Sequence, residues 1–210
     1  LIYNTTMVSE KPDSWSAMWD PKYSGEILTF NNSRDAFGVA QYLLGYDVNS
    51  TNPDEWRAAE EKLKEQKPLI QSYVMDEVFN KMEAGEAAMA PYYAGDYLTM
   101  KQENDDLAFV YPKEGTNKFV DVMCIPSSSE NKKAAELFIN YMCEPEVALH
   151  NANYLGYLCP VTAVLSDDRY EYKDNEVLYP KQEVKTQFFH NLDQDTLDLL
   201  SKLWEDLKLA

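Results

Sequence analysis

An acidic residue stands in the middle of a largely apolar stretch that runs from Phe119 to Pro126. The pattern predicts a β-strand over residues 119–125, and alternate residues of a strand point the same way. Four side chains would then share one face: Phe119, Asp121, Met123 and Ile125. A carboxylate two residues from an aromatic ring suits an organic ammonium group, because the carboxylate supplies charge and the ring face attracts a cation. The alternative is that the acid and the ring lie at a solvated strand end.

The chain is strongly acidic. Of its 210 residues, 36 are Asp or Glu and 19 are Lys or Arg, which gives a formal net charge of −17. Such a surface repels nucleic acids and anionic membranes and attracts cations. Aromatic residues make up 13% of the chain and could serve a cation site, although most are expected to serve packing. The length allows one large domain or two lobes.

The sequence lacks the common motifs of catalysis and metal binding. Its two histidines, His150 and His190, have no partner at metal-ligand spacing. The GxSxG, HExxH, P-loop and GxGxxG patterns are absent. We therefore expect no enzymatic activity, no cofactor and no metal. A hydrolase that uses two carboxylates stays open as an alternative, since acids are abundant, although nothing in the sequence places two of them together.

The three cysteines, Cys124, Cys143 and Cys159, show neither CxxC spacing nor an even number. We expect them to behave as small buried hydrophobic residues, with Cys124 inside a strand and Cys143 late in a helix. A bridge between Cys143 and Cys159 requires the fold to bring them together, so the sequence leaves their disulfide state open.

No signal peptide, lipobox or apolar run of membrane-spanning length is visible. The first residues, Leu1 to Asn4, have the pattern of a strand interior. These two features lead us to expect a mature fragment of a longer protein.

Strand and helix patterns alternate along the chain, which predicts α/β layers with a mostly parallel sheet. Asn31-Asn32-Ser33 supplies cap residues for a helix that Gly45 ends. The predicted strands cover residues 1–8, 25–30, 85–90, 107–111 and 119–125. The predicted helices cover residues 34–45, 77–83, 132–142, 145–156 and 196–207, with further helices that start at residue 53 and end at residue 100.

Seven short segments follow one another in an order that is typical of one family. They are Trp15 to Gly25, Asn31 to Phe37, Leu44 to Tyr46 with Asn49 to Pro53, Tyr93 to Asp96, Tyr111 to Gly115, Phe119 to Pro126, and Tyr154 to Pro160. In this order they resemble the motifs of polyamine-binding proteins, which are the spermidine/putrescine receptors of bacterial ABC transporters. Each match is modest, but the ordered series is specific and spans most of the chain.

The resemblance implies a periplasmic-binding-protein-like (type II) fold, in which two α/β lobes hold the ligand in a cleft. This chain would be largely one lobe of mixed sheet flanked by helices. Residues 1–119 would form the second lobe, residues 120–164 a returning segment of the first lobe, and residues 165–210 the completion of the second lobe with a C-terminal helix. The implied partners are a polyamine and the permease subunits of an ABC transporter. The implied location is periplasmic or extracytoplasmic, with the membrane reached only through an anchor or the permease.

The resemblance also implies roles for individual residues. Asp121 would hold a ligand amine, and Phe119 would stack on the methylene chain. Tyr93 and Tyr157 would form aromatic walls, and Asp35 would meet a second nitrogen. From the residues alone, Asp35 could equally be a first-turn acid that complements the helix dipole, worth ~0.3–1 kcal/mol, and Tyr93 could be core packing.

Two further ligand-binding candidates depart from the family pattern. Asn32 stands where the family commonly has Asp, and His190 falls near a position of Gln. The family also usually has Trp at the positions of Phe119 and Tyr93. These changes would weaken spermidine binding or shift the preference to putrescine or another cation. The first interpretation is capture of a polyamine, the second is binding of another small ligand on the same scaffold, and an enzyme or interaction domain comes last.

Overall fold

The computed structural model describes all 210 residues, which divide into two units. Unit 1 comprises residues 1–93, 100–119 and 183–210, and unit 2 comprises residues 94–99 and 120–182. One boundary falls between residues 119 and 120, which is also the position of the predicted division between lobes. Residues 165–182, which the prediction assigns to the completion of the second lobe, group with unit 2. The correspondence of these units to the lobes of a longer protein stays a prediction.

Unit 1 contains a five-stranded sheet with the spatial order β3-β2-β4-β1-β5. The strands are β1 (Ile2–Asn4), β2 (Ile27–Phe30), β3 (Ile70–Val74), β4 (Met89–Ala90) and β5 (Leu107–Phe109). β2 runs parallel to β3 and β4, whereas β1 runs antiparallel to β4 and β5. Strands β2, β3, β4 and β5 therefore point the same way and β1 alone is reversed, so the expectation of a mixed, mostly parallel sheet is confirmed. Alternation of strands and helices does not fix the direction in which the first strand enters the sheet.

Four helices belong wholly to unit 1: α1 (Ser33–Leu44), α2 (Pro53–Gln66), α3 (Glu77–Glu83) and α8 (Gln194–Leu209). α1, α2 and α8 pack around one core of buried apolar side chains: Phe37, Ala40, Trp56, Ala59, Leu63, Leu200, Leu203 and Leu207. α4 (Ala94–Glu103) contains a boundary between the units, at residues 99 and 100. The predicted helices and their apolar stripes are confirmed here, within a few residues at each end.

Two of the segments on which the resemblance depends are joined by hydrogen bonds in unit 1. The Trp15 indole N–H donates to the Gly115 carbonyl at 2.7 Å. The Glu114 carboxylate accepts from the Ser14 hydroxyl and, at 3.2 Å, from the Trp15 backbone N–H. Residues about 100 positions apart thereby fix the chain immediately before a short strand, β6 (Thr116–Lys118). β6 pairs in parallel with β7 (Thr186–Phe188), and this two-stranded sheet was not predicted because both segments are short and polar.

Unit 2 contains α5 (Lys132–Met142), α6 (Pro145–Leu155) and the short α7 (Thr162–Leu165). The predicted positions of α5 and α6 are confirmed. Its core is small and consists of five buried residues: Ala148, Leu149, Ala152, Val164 and Tyr170. Along the whole chain, no helix combines the length and apolar character that crossing a bilayer requires.

The predicted strand over residues 119–125 is wrong, since this segment has no regular secondary structure. A strand needs a neighbouring strand for its backbone hydrogen bonds, and no strand pairs with this segment. The proposed common face of Phe119, Asp121, Met123 and Ile125 therefore lacks its structural basis. Sequence alternation alone does not supply the pairing partner.

The expected burial of the cysteines is also wrong. Cys124 and Cys143 are exposed, Cys159 is half-buried, and all three are free thiols. Cys124 lies in the segment that does not form a strand, and Cys143 is the C-cap of α5, a helix with no buried residue. Both positions lack the packed surroundings that would enclose a small side chain.

Candidate functional site

Asp35 is a buried carboxylate at the first turn of α1, with an exposed fraction of 8%. The helix begins here because the Asn32 side-chain oxygen caps it, accepting from the backbone N–H groups of Arg34 at 2.9 Å and Asp35 at 3.4 Å. The Tyr93 hydroxyl donates to Oδ2 of Asp35 at 3.1 Å, and the Asn117 amide donates to Oδ1 at 3.3 Å. Each carboxylate oxygen therefore has one neutral donor.

No cationic side chain forms an ion pair with Asp35. The guanidinium of the neighbouring Arg34 donates instead to the Val48 carbonyl at 2.9 Å and to Asn49 Oδ1 at 3.1 Å, and it stacks on Phe189. Burial raises the pKa of Asp35, and the Tyr93 hydrogen bond and the Arg34 charge oppose that rise. A buried carboxylate held mainly by neutral donors is well suited to receive a positive charge from a ligand.

Aromatic rings surround this carboxylate in unit 1. The Tyr93 ring lies 4.8 Å from Tyr92, 5.7 Å from Phe30 and 5.3 Å from Phe119, measured between ring centroids. Phe119 is 42% exposed, so part of its ring remains available to a ligand. A small cavity of about 20 Å³ is lined by Asp35, Tyr93 and Asn117 among others. The structure thus brings together three of the predicted residues: Asp35, Tyr93 and Phe119.

Unit 2 holds a second group of acidic and aromatic side chains. The Tyr157 ring lies against the first turn of α4, where a Cβ on Gly95 would come within 2.3 Å of the ring. Burial raises the pKa of Tyr157 above its usual range, with further contributions from the hydrogen-bonded Asp96 carboxylate and the nearby Asp121. The predicted residues Tyr157 and Asp121 therefore lie in one neighbourhood, which also contains Asp96.

Two residues predicted to bind the ligand, Asn32 and His190, make other contacts in the structure. The side-chain oxygen of Asn32 is engaged in capping α1, so its position is explained by the helix start. His190 is exposed, and its hydrogen bonds are made by its backbone, which donates to Asn49 Oδ1 at 2.7 Å and accepts from Arg34. The His190 imidazole does not line the cavity at Asp35.

Sequence reasoning missed Asn117 and Asp96 as members of these groups. Asn117 precedes Phe119 by two residues, a spacing that places two side chains on one face only in a strand. It therefore indicates a role for Asn117 only if the strand β6 is predicted. Asp96 directly follows Gly95 in the segment Tyr93 to Asp96, but nothing in the sequence alone indicates that Tyr157 lies beside it. Both residues gain their significance from contacts with parts of the chain that are distant in sequence.

Residues 1–178 match the family of bacterial extracellular solute-binding proteins. The chain belongs to this family. As a solute-binding protein it is 32% identical over 170 residues to the spermidine/putrescine-binding periplasmic protein of Escherichia coli, an alignment that covers 81% of this chain and 49% of the relative. It is 26% identical over 212 residues to spermidine/putrescine-binding periplasmic protein 1 of Haemophilus influenzae, covering all of this chain and 59% of the relative.

A solved structure of a relative agrees with this membership. The spermidine/putrescine ABC transporter substrate-binding protein of Streptococcus pneumoniae is 31% identical to this solute-binding protein, with a TM-score of 0.84 that confirms the periplasmic-binding fold. The match covers 99% of this chain and 65% of that one. This solute-binding protein spans about half the length of the E. coli relative and about two thirds of the solved structure.

Proposed function

We propose that this chain is part of an extracytoplasmic receptor that captures a polyamine, spermidine or putrescine, and delivers it to an ABC permease. The observation that carries the proposal is the buried Asp35 carboxylate, which has neutral donors on both oxygens and no ion-pair partner. Relatives named for spermidine and putrescine binding support the choice of ligand.

The chemistry of a polyamine fits the two groups of side chains. In unit 1 the Asp35 carboxylate receives one ammonium group, and the exposed part of the Phe119 ring contacts the aliphatic chain. In unit 2 the carboxylates of Asp121 and Asp96 lie near the Tyr157 ring and by themselves offer the same combination of charge and aromatic surface to an ammonium group. Removing an ammonium group from water is costly, so each one needs a carboxylate of this kind.

Binding and release are the whole of the proposed work, with no bond made or broken in the ligand. The partner that receives the polyamine is the permease of the transporter. The membrane is reached through that permease or through an anchor, and residues 1–210 contribute side chains to ligand binding. Membership of the extracellular solute-binding family supports this location.

The decisive experiment is a calorimetric titration of spermidine and putrescine into the wild-type chain and into Asp35→Asn. Loss of a buried charge partner costs about 2–5 kcal/mol, so we expect affinity to fall by roughly thirtyfold or more in the variant. Asp54→Asn is the matched control, because Asp54 also occupies a helix first turn and its removal changes the net charge equally, but it is exposed.

A Mg²⁺ titration separates specific binding from general attraction to the acidic surface. Saturable binding of a polyamine that Asp35→Asn weakens and Asp54→Asn leaves intact supports the proposal. If polyamine and Mg²⁺ bind alike, or if both variants lose affinity equally, the polyamine assignment is wrong and the chain serves another ligand.

A further inference from the structure

Asn117 is placed to control the carboxylate on which the proposed function depends. It lies at the centre of β6, and its amide Nδ2 donates to Asp35 Oδ1 at 3.3 Å. The Tyr93 hydroxyl serves the other oxygen at 3.1 Å. With no cation paired to Asp35, these two neutral donors are the groups that hydrogen-bond its carboxylate oxygens.

The position of Asn117 is fixed from both sides of the strand. The residue pairs with Gln187 of β7, so its backbone belongs to a parallel ladder. Two residues earlier, the Gly115 carbonyl accepts from the Trp15 indole, and two residues later Phe119 packs against Tyr93. A donor that is held in place before the ligand arrives loses little conformational entropy when the site is used.

Loss of the Asn117 donor would have a consequence that depends on pH. Burial already favours the neutral form of Asp35 and raises its pKa, and the Tyr93 hydrogen bond and the Arg34 charge oppose that rise. The Asn117 amide is a second donor to the carboxylate, and a donor stabilises the ionised form. Three tyrosines line the same cavity, Tyr42, Tyr92 and Tyr93, and ordinary tyrosines titrate near pH 10. Lys118 on β6 lies over the Phe188 ring, and Arg34 stays charged throughout. Asp35 is therefore the cavity group whose ionisation responds to a fall in pH.

We propose that Asn117 is a positioning residue that keeps the Asp35 carboxylate ionised and oriented for an ammonium group. This inference rests on the proposed function, because it assigns to Asn117 a share of amine recognition by the same carboxylate. Asn117 acts through Asp35 and is not itself required to touch the ligand. Its removal should weaken binding most at the acidic end of the pH range, where the carboxylate is closest to protonation.

The test replaces Asn117 by Leu, which is similar in size and has no donor, and by Ala, which adds no bulk to the cavity. Gln187→Leu is the matched control, since it removes an amide from the paired position of β7 without touching Asp35. Putrescine affinity is measured by calorimetry at about pH 8 and about pH 5.5.

We expect both Asn117 variants to bind roughly tenfold more weakly than wild type at the higher pH, as for loss of a hydrogen bond to a charged group. The ratio to wild type should grow further at the lower pH. Gln187→Leu should stay close to wild type at both. An equal loss at both pH values, or a loss matched by Gln187→Leu, would overturn the proposal, because it would indicate a merely structural role.

A second measurement does not depend on the ligand. The pKa of Asp35 in the ligand-free chain, followed by carboxyl carbon NMR, should rise in Asn117→Leu and Asn117→Ala relative to wild type. If wild type binds no polyamine but the pKa rises in the variants, the role of Asn117 stands and the proposed function fails. If wild type binds polyamine but the pKa does not move, the proposed function stands and the role of Asn117 is wrong.

Discussion

Two helices with similar apolar patterns, one in each unit, differ in whether their apolar side chains are buried. In unit 1, α8 buries Leu200, Leu203 and Leu207 against α1 and α2. In unit 2, α5 carries an apolar stripe of the same spacing but has no buried residue, and Leu137 and Phe138 are 62% and 56% exposed. An apolar stripe thus predicts a helix and identifies its apolar face. It does not indicate whether another element of the fold packs against that face.

The same contrast extends to the rest of each unit. Ten of the fourteen large exposed hydrophobic side chains lie in unit 2, although it is the smaller unit. Unit 1 encloses its carboxylate, Asp35, whereas Asp121 of unit 2 is exposed. The carboxylate of Asp35 in unit 1 is therefore more buried than that of Asp121 in unit 2. Unit 2 also exposes more large hydrophobic side chains than unit 1.

The largest expected effect is on the unfolding free energy, and it distinguishes a buried phenylalanine of unit 1 from an exposed one of unit 2. Phe37→Ala removes a fully buried ring from α1 and should cost about 3–5 kcal/mol of unfolding free energy. Phe138→Ala on α5 is the matched change at an exposed position and should stay within about 0.5 kcal/mol of wild type. Urea unfolding followed by circular dichroism measures both. A cost for Phe138→Ala that approaches that of Phe37→Ala would mean that α5 is packed in solution.

An intermediate effect on stability is expected at glycines against which an aromatic ring packs. Gly95→Ala in unit 2 would place a Cβ 2.3 Å from the Tyr157 ring, so the ring must move, at a cost of about 1–3 kcal/mol. Gly38→Ala in unit 1 meets the tip of the Phe189 ring at 3.1 Å, and the higher helix propensity of alanine, about 1 kcal/mol, should offset most of the strain.

The control for this comparison is the double variant of Gly95→Ala with Tyr157→Ala. Removing the ring removes the clash, so the two changes should cost less together than the sum of their separate effects. Additive costs in urea unfolding would show that Tyr157 does not lie against Gly95 in solution.

The smallest effect concerns the cysteines, all of which lie in unit 2. Because Cys124 and Cys143 are exposed, a thiol reagent should modify them in the native chain nearly as fast as in the denatured chain, and the half-buried Cys159 should react more slowly. Cys143→Ser should change the unfolding free energy by no more than about 0.5 kcal/mol. Protection of Cys124 or Cys143 in the native chain would contradict the open surface of unit 2.

Local signals determined much of this protein. Asn32 and Gly45 mark the ends of α1, Pro53 marks the start of α2, and the leucine spacing marks α8, because caps and 3.6-residue periodicity act within one or two turns. The ordered motifs indicated the family, which the match over residues 1–178 confirms. The sequence also singled out Asp35, Tyr93 and Phe119, which the structure brings together.

Tertiary structure alone decided the features that depend on distant partners. The direction of β1, the pairing of β6 with β7 and the absence of a strand at residues 119–125 all depend on which segments meet across the fold. Asn117 joined the site only because β6 passes beside α1. Periodicity and capping report what a segment can do by itself, whereas strand pairing, burial and a carboxylate's hydrogen-bond donors come from residues far away in the sequence.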